Sequence, residues 1–577
     1  GNQVFVDTKS YSATGDYFWK DFTFSGGFDR EENNFYNLFR AGSYGLFDFA
    51  NLAAFQADTI SSFSRAFYVQ GTPPADVSKS AVTGLFGQAK WSVHSRLTLL
   101  AGLRYDMVAS GTRPPFNPLF LDRFGYRNDG TVDGTSTVSP RLSFNWTPTD
   151  DRTVQFRGGV GHFMGRAPWV FFSNSYSNPG VGRFNILTPP AGLVPYVQST
   201  FDPANAIGSA AAIPAGGRYE INLSDDKIKL PSVWRGNLAV ERKLALFDSI
   251  VSLEFVQTYN DKTLFVTNDN LRPTTRGADG RQRFAGNPST IANARFAEFV
   301  NVYHVSQRAT GESGYLTLMW DRPLKNRWAS NFSYTRGRST EAQAFGQTTA
   351  SGTWQRNPVF NQGAVEEAHS DFEVRDRFQL TLTREFEFKK QWKTLTSLYY
   401  EGRSGNPFSY VYNTDLNGDS RADNDLVAVP SGPADARFDF SGMSATTQAA
   451  YFDFINTRGL SKFAGDFAPK NAFRQPWVNR LDFKISQTIP LHSHVQLEVF
   501  ADFVNLGSFL SKKLFNYYEE PILISNDVFR RLNLGGATYT AAGKIAPTFN
   551  SPVPNSNFVF ENVQSRWRLQ FGAKLKF

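Results

Sequence analysis

The last stretch of the chain, residues 565–577, decides the fold and reads S-R-W-R-L-Q-F-G-A-K-L-K-F. Its odd positions from Trp567 to Phe577 are all apolar, and its even positions from Arg566 to Lys576 are Arg, Gln, Gly or Lys. A period of two predicts a β-strand with one apolar face and one polar face. The chain stops on the aromatic ring of Phe577 itself. This pattern alone also fits a soluble antiparallel sheet, so the other strands must decide.

The composition excludes a helical membrane protein. Only 41% of the residues are hydrophobic, mean hydropathy is -0.36, and there is no run of 18 or more apolar residues. A transmembrane β-barrel stays open, because only alternate residues of its strands face lipid. The aromatic content of 15% suits the aromatic girdles of such a barrel. The absence of Cys excludes thiolate metal sites and disulfides, and favours an exported protein.

The way in which the strands are joined points to a barrel. Six pairs of alternating segments are joined by short turns, and long polar connections separate the pairs. The turns lie at residues 94–96, 147–152, 245–249, 323–327, 389–391 and 490–494. The connections lie at residues 109–137, 165–231, 260–297, 337–373, 404–476 and 505–564. Short periplasmic turns alternating with long extracellular loops are typical of an outer-membrane β-barrel, whereas a soluble sandwich has no reason to place all its long loops at one end.

The strand count is odd. Six hairpins, the final strand and two strands at the start give about fifteen. We expect the two at the start at residues 4–11 and 17–38, hinged at Thr14-Gly15-Asp16. With an odd count the first and last strands run in the same direction and cannot close an antiparallel barrel, and bacterial single-chain barrels have even counts. We therefore expect further strands before Gly1.

Several segments resemble a known family. K-L-P-S-V-W-R-G-N-L-A-V-E-R-K at 229–243, G-N-P-F-S-Y-V-Y at 405–412, N-A-F-R-Q-P-W-V-N-R-L-D-F-K at 471–484 and L-E-V-F-A-D-F-V-N-L at 497–506 resemble the barrel of Oar-like TonB-dependent outer-membrane receptors. The resemblance implies a 22-stranded barrel around an N-terminal plug, coupled to the inner membrane through TonB. The whole sequence, residues 1–577, is then outer-membrane β-barrel. We expect its plug, TonB box and signal peptide to lie outside this sequence.

The resemblance also implies a function. It is TonB-dependent transport of a large solute, such as a peptide, glycan, chelate or protein, across the outer membrane. The alternative is a structural or adhesive surface barrel that binds partner proteins without transporting a solute. Expected partners are outer-membrane lipid and lipopolysaccharide, TonB, a plug domain and surface proteins. Nucleic acid is not expected, because the net charge of +8 is spread among 52 acidic residues without a basic block.

One loop carries a candidate metal site, D-L-N-G-D-S-R-A-D-N-D at residues 415–425. Asp415, Asn417, Asp419 and Asp423, with the backbone carbonyl of Arg421, match the first part of an EF-type calcium loop. Position 12 of such a loop is Leu426, which supplies no carboxylate, so Asp425 would have to substitute. The competing interpretation is a solvated Asp/Asn/Gly turn. Bound calcium would order the loop, and its role would be structural.

The sequence gives little support for other metal sites or for catalysis. His492 and His494 are two residues apart in a tight turn, with no third ligand nearby in the sequence. No pairing of a nucleophile with a base occurs, so we expect no enzyme. Polar residues on the inward phase of the strands are expected to line a hydrated path or to grip a plug, because charges that face lipid are costly. These residues are Arg104, Asp106, Arg157, Glu241, Glu254, Thr317, Asn331, Gln379, Thr381, Asp482, Lys484, Gln496 and Glu498.

Overall fold

The computed structural model describes residues 2–39, 46–57, 61–68, 75–186, 218–389, 391–492, 494–515, 518–521, 531–549, 558–560 and 565–577. The first fifteen strands are β1 Asn2–Trp19, β2 Phe22–Phe39, β3 Leu46–Asp48, β4 Ser62–Tyr68, β5 Asp76–His94, β6 Leu97–Ser110, β7 Thr135–Trp146, β8 Val154–Met164, β9 Arg183–Ile186, β10 Tyr219–Ser224, β11 Ser232–Leu244, β12 Ser249–Asn268, β13 Pro273–Arg276, β14 Gln282–Phe284 and β15 Phe299–Arg308. The remaining strands are β16 Glu312–Lys325, β17 Trp328–Glu341, β18 Ala368–His369, β19 Asp376–Lys389, β20 Trp392–Arg403, β21 Pro407–Tyr412, β22 Phe473–Arg474, β23 Val478–His492, β24 Val495–Val504, β25 Tyr518–Pro521, β26 Arg531–Tyr539, β27 Ile545–Thr548, β28 Phe558–Phe560 and β29 Arg568–Lys576.

Helices are few and short. The α-helices are α1 Leu52–Gln56, α2 Pro118–Phe124, α3 Trp169–Ser177, α4 Ala350–Arg356, α5 Ala445–Thr457, α6 Leu506–Leu510 and α7 Lys512–Phe515. Short 3-10 turns lie at Leu246–Asp248, Ile291–Asn293 and Leu460–Phe463. Within the described ranges, no helix combines the length and the apolar character needed to cross a membrane.

Among the described residues, fifteen strands form one continuous antiparallel wall. The order is β1, β2, β5, β6, β7, β8, β11, β12, β16, β17, β19, β20, β23, β24 and β29, so each strand pairs with the next wall strand along the chain. The short strands β10, β15 and β18 bring the sheet to 18 strands. The predicted count of about fifteen wall strands is confirmed. The edge strands β1 and β29 run in the same direction, and no pairing between them is seen in the described residues.

The wall turns are tight at one end. β16 and β17 are joined by Asn326 and Arg327, whose φ angles of 53° and 69° suit a two-residue hairpin turn that follows the twist of the strands. The expected hinge at Thr14-Gly15-Asp16 is wrong. Gly15 pairs with Gly26 inside an unbroken ladder, and the chain reverses at Lys20 and Asp21. Backbone pairing along 18 residues outweighs the local turn preference of Gly and Asp.

The wall is apolar outside and polar inside. On β6, Leu103 is 54% exposed whereas the neighbouring inward Asp106 is 2% exposed. Large aromatic side chains are exposed close to the tight turns, as expected of an interfacial girdle. They are Trp19, Trp91, Trp146, Phe247, Trp328, Phe388 and Trp392. The outward surface therefore has the apolar band and aromatic rim of a lipid-facing wall.

An inward aromatic ring packs over a glycine of the final strand. Phe500 of β24 lies opposite Gly572 of β29, and a Cβ atom at Gly572 would lie only 2.2 Å from the Phe500 ring. The ammonium of Lys484 lies 4.5 Å from the centre of the same ring. Glycine is therefore favoured at position 572, because a side chain there would have to displace the ring.

The long loops fold together instead of forming separate polar connections. Residues 404–477 and 531–549, here called the cap, share a small sheet in which β21 pairs with β22 and, in parallel, with β26, while β26 pairs with β27. Tyr410, Tyr451, Leu460 and Ile545 are buried in its core. Two further apolar clusters form under other loops, one around Trp354 and Tyr303 and one around Phe120 and Phe299. The extracellular loops thus carry their own hydrophobic cores.

Candidate functional site: the lumen wall and the acidic turn of the cap

Charged side chains of neighbouring strands pair across the inward face of the wall. The Arg157 guanidinium lies 2.7 Å from the Glu241 carboxylate and 3.6 Å from that of Glu254, which links β8, β11 and β12. Further pairs are Arg104 with Asp29 and Asp106, Arg377 with Glu401, Arg480 with Asp482, Lys484 with Asp502, and Lys576 with Glu498. Eight of the thirteen residues predicted to line the lumen take part in these pairs, namely Arg104, Asp106, Arg157, Glu241, Glu254, Asp482, Lys484 and Glu498. The inward face is therefore a ladder of mixed charges.

Arg281 joins four extracellular loops. Its guanidinium lies 3.3 Å from Asp279 on its own loop, and it donates to Asp425 at 2.9 Å and to the backbone carbonyl of Leu426 in the cap. It also lies 4.6 Å from the ring centre of Phe360. Tyr539, from the last loop, donates to Asp279 at 2.7 Å. Arg281 and Asp425 are both fully buried, so this contact, here called the Arg281 lock, ties the loop after β12 to the cap.

The segment predicted as a calcium loop, residues 415–425, is here called the acidic turn. One carboxylate oxygen of Asp415 accepts the backbone N–H groups of Gly418 and Asp419 at 2.8 and 3.0 Å, and the other accepts that of Ser420 at 2.8 Å. Ser420 has φ 78°, at the sixth position, where an EF-type loop places glycine for its sharp turn. The backbone therefore wraps around Asp415 as such a loop does around its first residue.

Towards the end of the acidic turn, the contacts of the carboxylates differ from those expected of the predicted calcium ligands. Asp419 accepts side-chain N–H groups of Gln362, Asn417 and Asn424, all through Oδ2. Asp425 is buried and accepts the backbone N–H groups of Leu416 and Asn417, besides Arg281.

The other two predicted ligands, Arg421 and Asp423, make hydrogen bonds through their backbone. The backbone carbonyl of Asp423 accepts a hydrogen bond from Arg531, and the Arg421 backbone N–H donates to Asp419 at 2.8 Å. The turn thus gathers Asp415, Asp419 and Asp425, with Asn417 and Asn424 between them.

Burial and mutual repulsion act on these three carboxylates. Burial, with the charge of Asp425, raises the pKa of Asp415 to about 6, and burial with the charge of Asp415 raises the pKa of Asp419 to about 6. Burial raises the pKa of Asp425 to about 7, although the Arg281 guanidinium opposes the shift. Negative charge is therefore unfavourable in this turn unless a cation compensates it.

A second, half-buried charge cluster lies in the neighbouring loops. His304 of β15 contacts Asp269 through Nδ1 and Asp225 through Nε2, both at 2.8 Å. Burial lowers the pKa of His304, but the two carboxylates outweigh it and raise the pKa to about 9. Tyr126 stacks on the imidazole and donates to Asp269 at 2.5 Å. Both ring nitrogens are already engaged, so this arrangement ties loops together.

The paired histidines and other metal candidates show no preformed centre. His492 and His494 are exposed at the turn between β23 and β24. In the portion of the chain that the structure describes, no three His, Cys, Asp or Glu side chains form a ready-made metal centre. Metal binding at the acidic turn and at these histidines stays a prediction.

Sequence reasoning missed Arg281 and His304. Arg281 lies just before β14 and His304 lies on β15, and neither has a recognisable motif around it. Asp425 is 144 residues from Arg281 in sequence, and Asp225 is 79 residues from His304. The one signal in the sequence was the dense acidic stretch at 415–425, which lacks a basic residue beyond Arg421 and so calls for a cation from elsewhere.

Comparison with known proteins agrees with this architecture. A family model described as "Outer membrane beta barrel domain" matches residues 3–507. Comparison with curated sequences finds no match. Similar solved structures include "Copper transporter OprC" (11% identity, TM-score 0.43, 100% of this chain and 57% of that one) and the outer membrane transporter YddB from Escherichia coli (11% identity, TM-score 0.46, 94% and 52%). Another is the ferric enterobactin receptor PfeA from Pseudomonas aeruginosa in complex with enterobactin (8% identity, TM-score 0.44, 100% and 54%).

The chain spans between 52% and 57% of the length of these solved structures. The family match covers most of this chain, and the fold has the alternating apolar and polar faces of a membrane-spanning wall. The chain therefore belongs to the outer membrane β-barrel domain family and is an integral protein of the outer membrane.

Proposed function

We propose that this chain forms the wall of an Oar-like TonB-dependent receptor that passes a large solute across the outer membrane. The observation that carries the proposal is the ion-paired inward face of a fifteen-strand wall. Barrels of about eight strands are filled by their own side chains, whereas those of 16 to 18 strands leave an aqueous channel. A wall this long with charges inside has the width and the polarity for a plug or a hydrated solute. The segments that resemble Oar-like receptors support the same function.

The partners follow from this proposal. A plug would contact the inward charges, TonB would supply the energy from the periplasmic side, and further strands would complete the wall between β1 and β29. Lipid and lipopolysaccharide would contact the outer surface. There α6 and α7 leave Phe509, Leu510 and Leu514 exposed beside Lys512 and Lys513, and Phe509 packs on the lipid-facing Trp567. Apolar side chains next to two lysines suit acyl chains below phosphate groups.

Single-cysteine labelling tests the transport function, because residues 1–577 contain no Cys. Thr317 faces inward, where its hydroxyl lies 3.0 Å from that of Thr335, and Leu316 beside it faces outward. We expect a membrane-impermeant maleimide to label Thr317→Cys at a rate that changes when TonB is deleted or the proton gradient is collapsed. Leu316→Cys is the matched control and should not respond. A labelling rate of Thr317→Cys that is unchanged by both treatments would contradict energised transport.

A structural or adhesive surface barrel is the second candidate, and the folded cap favours it. Loops with a hydrophobic core present a fixed surface, as expected of a barrel that binds partner proteins. This function requires no energy, so it predicts labelling at Thr317→Cys that is independent of TonB, together with co-purification of an outer-membrane or surface protein that is lost when the cap is deleted.

A further inference from the structure

The acidic turn concentrates negative charge where water is excluded. Asp419 and Asp425 are fully buried, and the loop wraps the carboxylate of Asp415. Within the turn the Arg281 guanidinium contacts Asp425, and it also contacts Asp279. Asp415 and Asp419 accept hydrogen bonds from neutral N–H groups, so this guanidinium does not neutralise them by direct contact. Burying carboxylate charges without a neighbouring cation is energetically costly, so a further cation would stabilise the acidic turn.

An independent observation concerns Asn424. Its side-chain nitrogen donates to Asp419 at 3.0 Å, so its amide group lies against the acidic cluster. Its carbonyl oxygen Oδ1 has no hydrogen-bond partner, although the residue is completely buried. Leaving such an acceptor unsatisfied costs about 1 to 3 kcal/mol. A neutral oxygen held beside carboxylates without a donor is a ligand that hard cations accept.

We propose that the acidic turn binds one Ca²⁺ ion through oxygens of Asp415, Asp419 and Asn424, with further oxygens from Asn417 and the backbone. Calcium takes six to eight oxygen ligands in irregular geometry, and carboxylates, amide carbonyls and backbone carbonyls are all suitable. Magnesium requires near-ideal octahedral geometry, which a turn of mixed amides and carboxylates does not supply. The ion compensates two negative charges, and Arg281 compensates Asp425.

Binding at this place orders the cap. The acidic turn is linked through Gln362 to the loop before β19, through Arg281 to the loop after β12, and through the carbonyl of Asp423 to Arg531 of β26. An ion that fixes the turn therefore stabilises contacts among four loops. Affinity in the range of extracellular calcium modules, with Kd of about 0.1 to 1 mM, is sufficient for this role. The inference does not depend on what passes through the lumen.

The test uses the native full-length protein, purified from outer membranes in detergent and stripped with EGTA. CaCl₂ is titrated while trypsin cleavage inside residues 404–477 is followed by mass spectrometry, with MgCl₂ in parallel and calorimetry for stoichiometry. We expect one Ca²⁺ per chain, protection with a midpoint of about 0.1 to 1 mM, and at least a tenfold weaker response to Mg²⁺. No calcium-dependent protection and no heat of binding would overturn the proposal.

Variants locate the site. Asp419→Asn removes one charge with little change in shape, and Asn424→Ala keeps every charge but removes the unpartnered carbonyl. Both should raise the calcium midpoint at least tenfold. Asp453→Asn makes the same charge change on the exposed side of α5 in the same loop and should leave the midpoint unchanged. The heat-modifiable gel mobility of the barrel reports that the wall is intact in each variant. An unchanged midpoint in Asn424→Ala and Asp419→Asn would place the ion elsewhere and refute the assignment.

Discussion

Arg281 and Asp425 form an ion pair 2.9 Å long across two loops, and neither side chain is accessible to solvent. The pair is 144 residues apart in sequence, and the same guanidinium contacts Asp279 and the ring of Phe360. Because a buried charge without its partner is strongly unfavourable, we expect this arginine to stabilise the assembled cap.

Replacing Arg281 by methionine should therefore destabilise the cap while leaving the wall intact. Removing one partner of a buried pair costs about 3 to 5 kcal/mol. The urea midpoint for trypsin cleavage inside residues 404–477 should fall, while the heat-modifiable mobility of the barrel persists. Arg276→Met is the matched control, because Arg276 is exposed on the same β13–β14 hairpin. Equal midpoints for the two variants would show that the Arg281 lock is unimportant.

Two neighbouring residues of β16 allow the cost of a charge on the lipid-facing surface to be compared with its cost on the inward surface. Leu318 faces outward and Thr317 faces inward near Glu254. An arginine on the lipid face near the midplane costs about 2 to 4 kcal/mol, whereas the lumen can hydrate it. Leu318→Arg should lower the free energy of unfolding in lipid vesicles by that amount, and Thr317→Arg should change it by much less. A larger loss for Thr317→Arg would reverse our assignment of the two faces.

A double-mutant cycle tests the packing of Phe500 on Gly572. Gly572→Val should destabilise the wall by about 1 to 3 kcal/mol, because the new side chain overlaps the ring. Phe500→Ala removes the ring, so Gly572→Val should cost much less in that background. Urea unfolding of all four proteins in vesicles measures the coupling energy. Simple additivity of the two changes would show that the ring does not set the cost.

The contact of His304 with Asp225 and Asp269 predicts a pH dependence above neutrality. Because the two carboxylates raise the pKa of His304 to about 9, the protonated form is favoured in the folded state. The stabilisation is complete below the ordinary histidine pKa of about 6.5 and is lost as the pH rises through about 9.

Thermal unfolding of the detergent-solubilised protein between pH 6 and 10 measures this effect. The difference in Tm between the native protein and His304→Gln should shrink between pH 6.5 and 9. The residues facing the imidazole include Tyr126, whose pKa lies above its ordinary value through burial and the charge of Asp269, so it stays protonated over this range. A constant difference across the range would contradict the assignment.

The wall could be predicted from the sequence, because alternation along each strand is a local property set by lipid on one side and water on the other. Strand β7, which ends at Trp146, and strand β17, which begins at Trp328, are examples. In both, the aromatic and apolar residues indicate the strand, its outward face and the position of the turn. The hinge near Gly15 could not be placed, because the long pairing of β1 with β2 overrides the local turn signal.

The cap could not be predicted, because its contacts join distant segments of ordinary polar composition. The acidic stretch drew attention to Asp415 and Asp419, but their relation to Asn424 and to Arg281 depends on folding. From the sequence we expected Asp425 to replace the missing ligand at position 12 of the loop, but it forms an ion pair with the guanidinium of Arg281. Local motifs indicate chemistry, whereas burial and partners emerge only from tertiary structure.

The parallel pairing of Ser409 on β21 with Arg531 on β26 has a consequence for the time course of assembly. The two strands are separated in sequence by the wall strands β23 and β24, so the cap sheet joins segments on both sides of this membrane-spanning hairpin. Contacts between such distant residues form slowly, because a long loop has to close first. Newly inserted molecules should therefore pass through a stage with a complete wall and an open, protease-sensitive exterior, and the surface that the cell shows to its surroundings is the last part to mature.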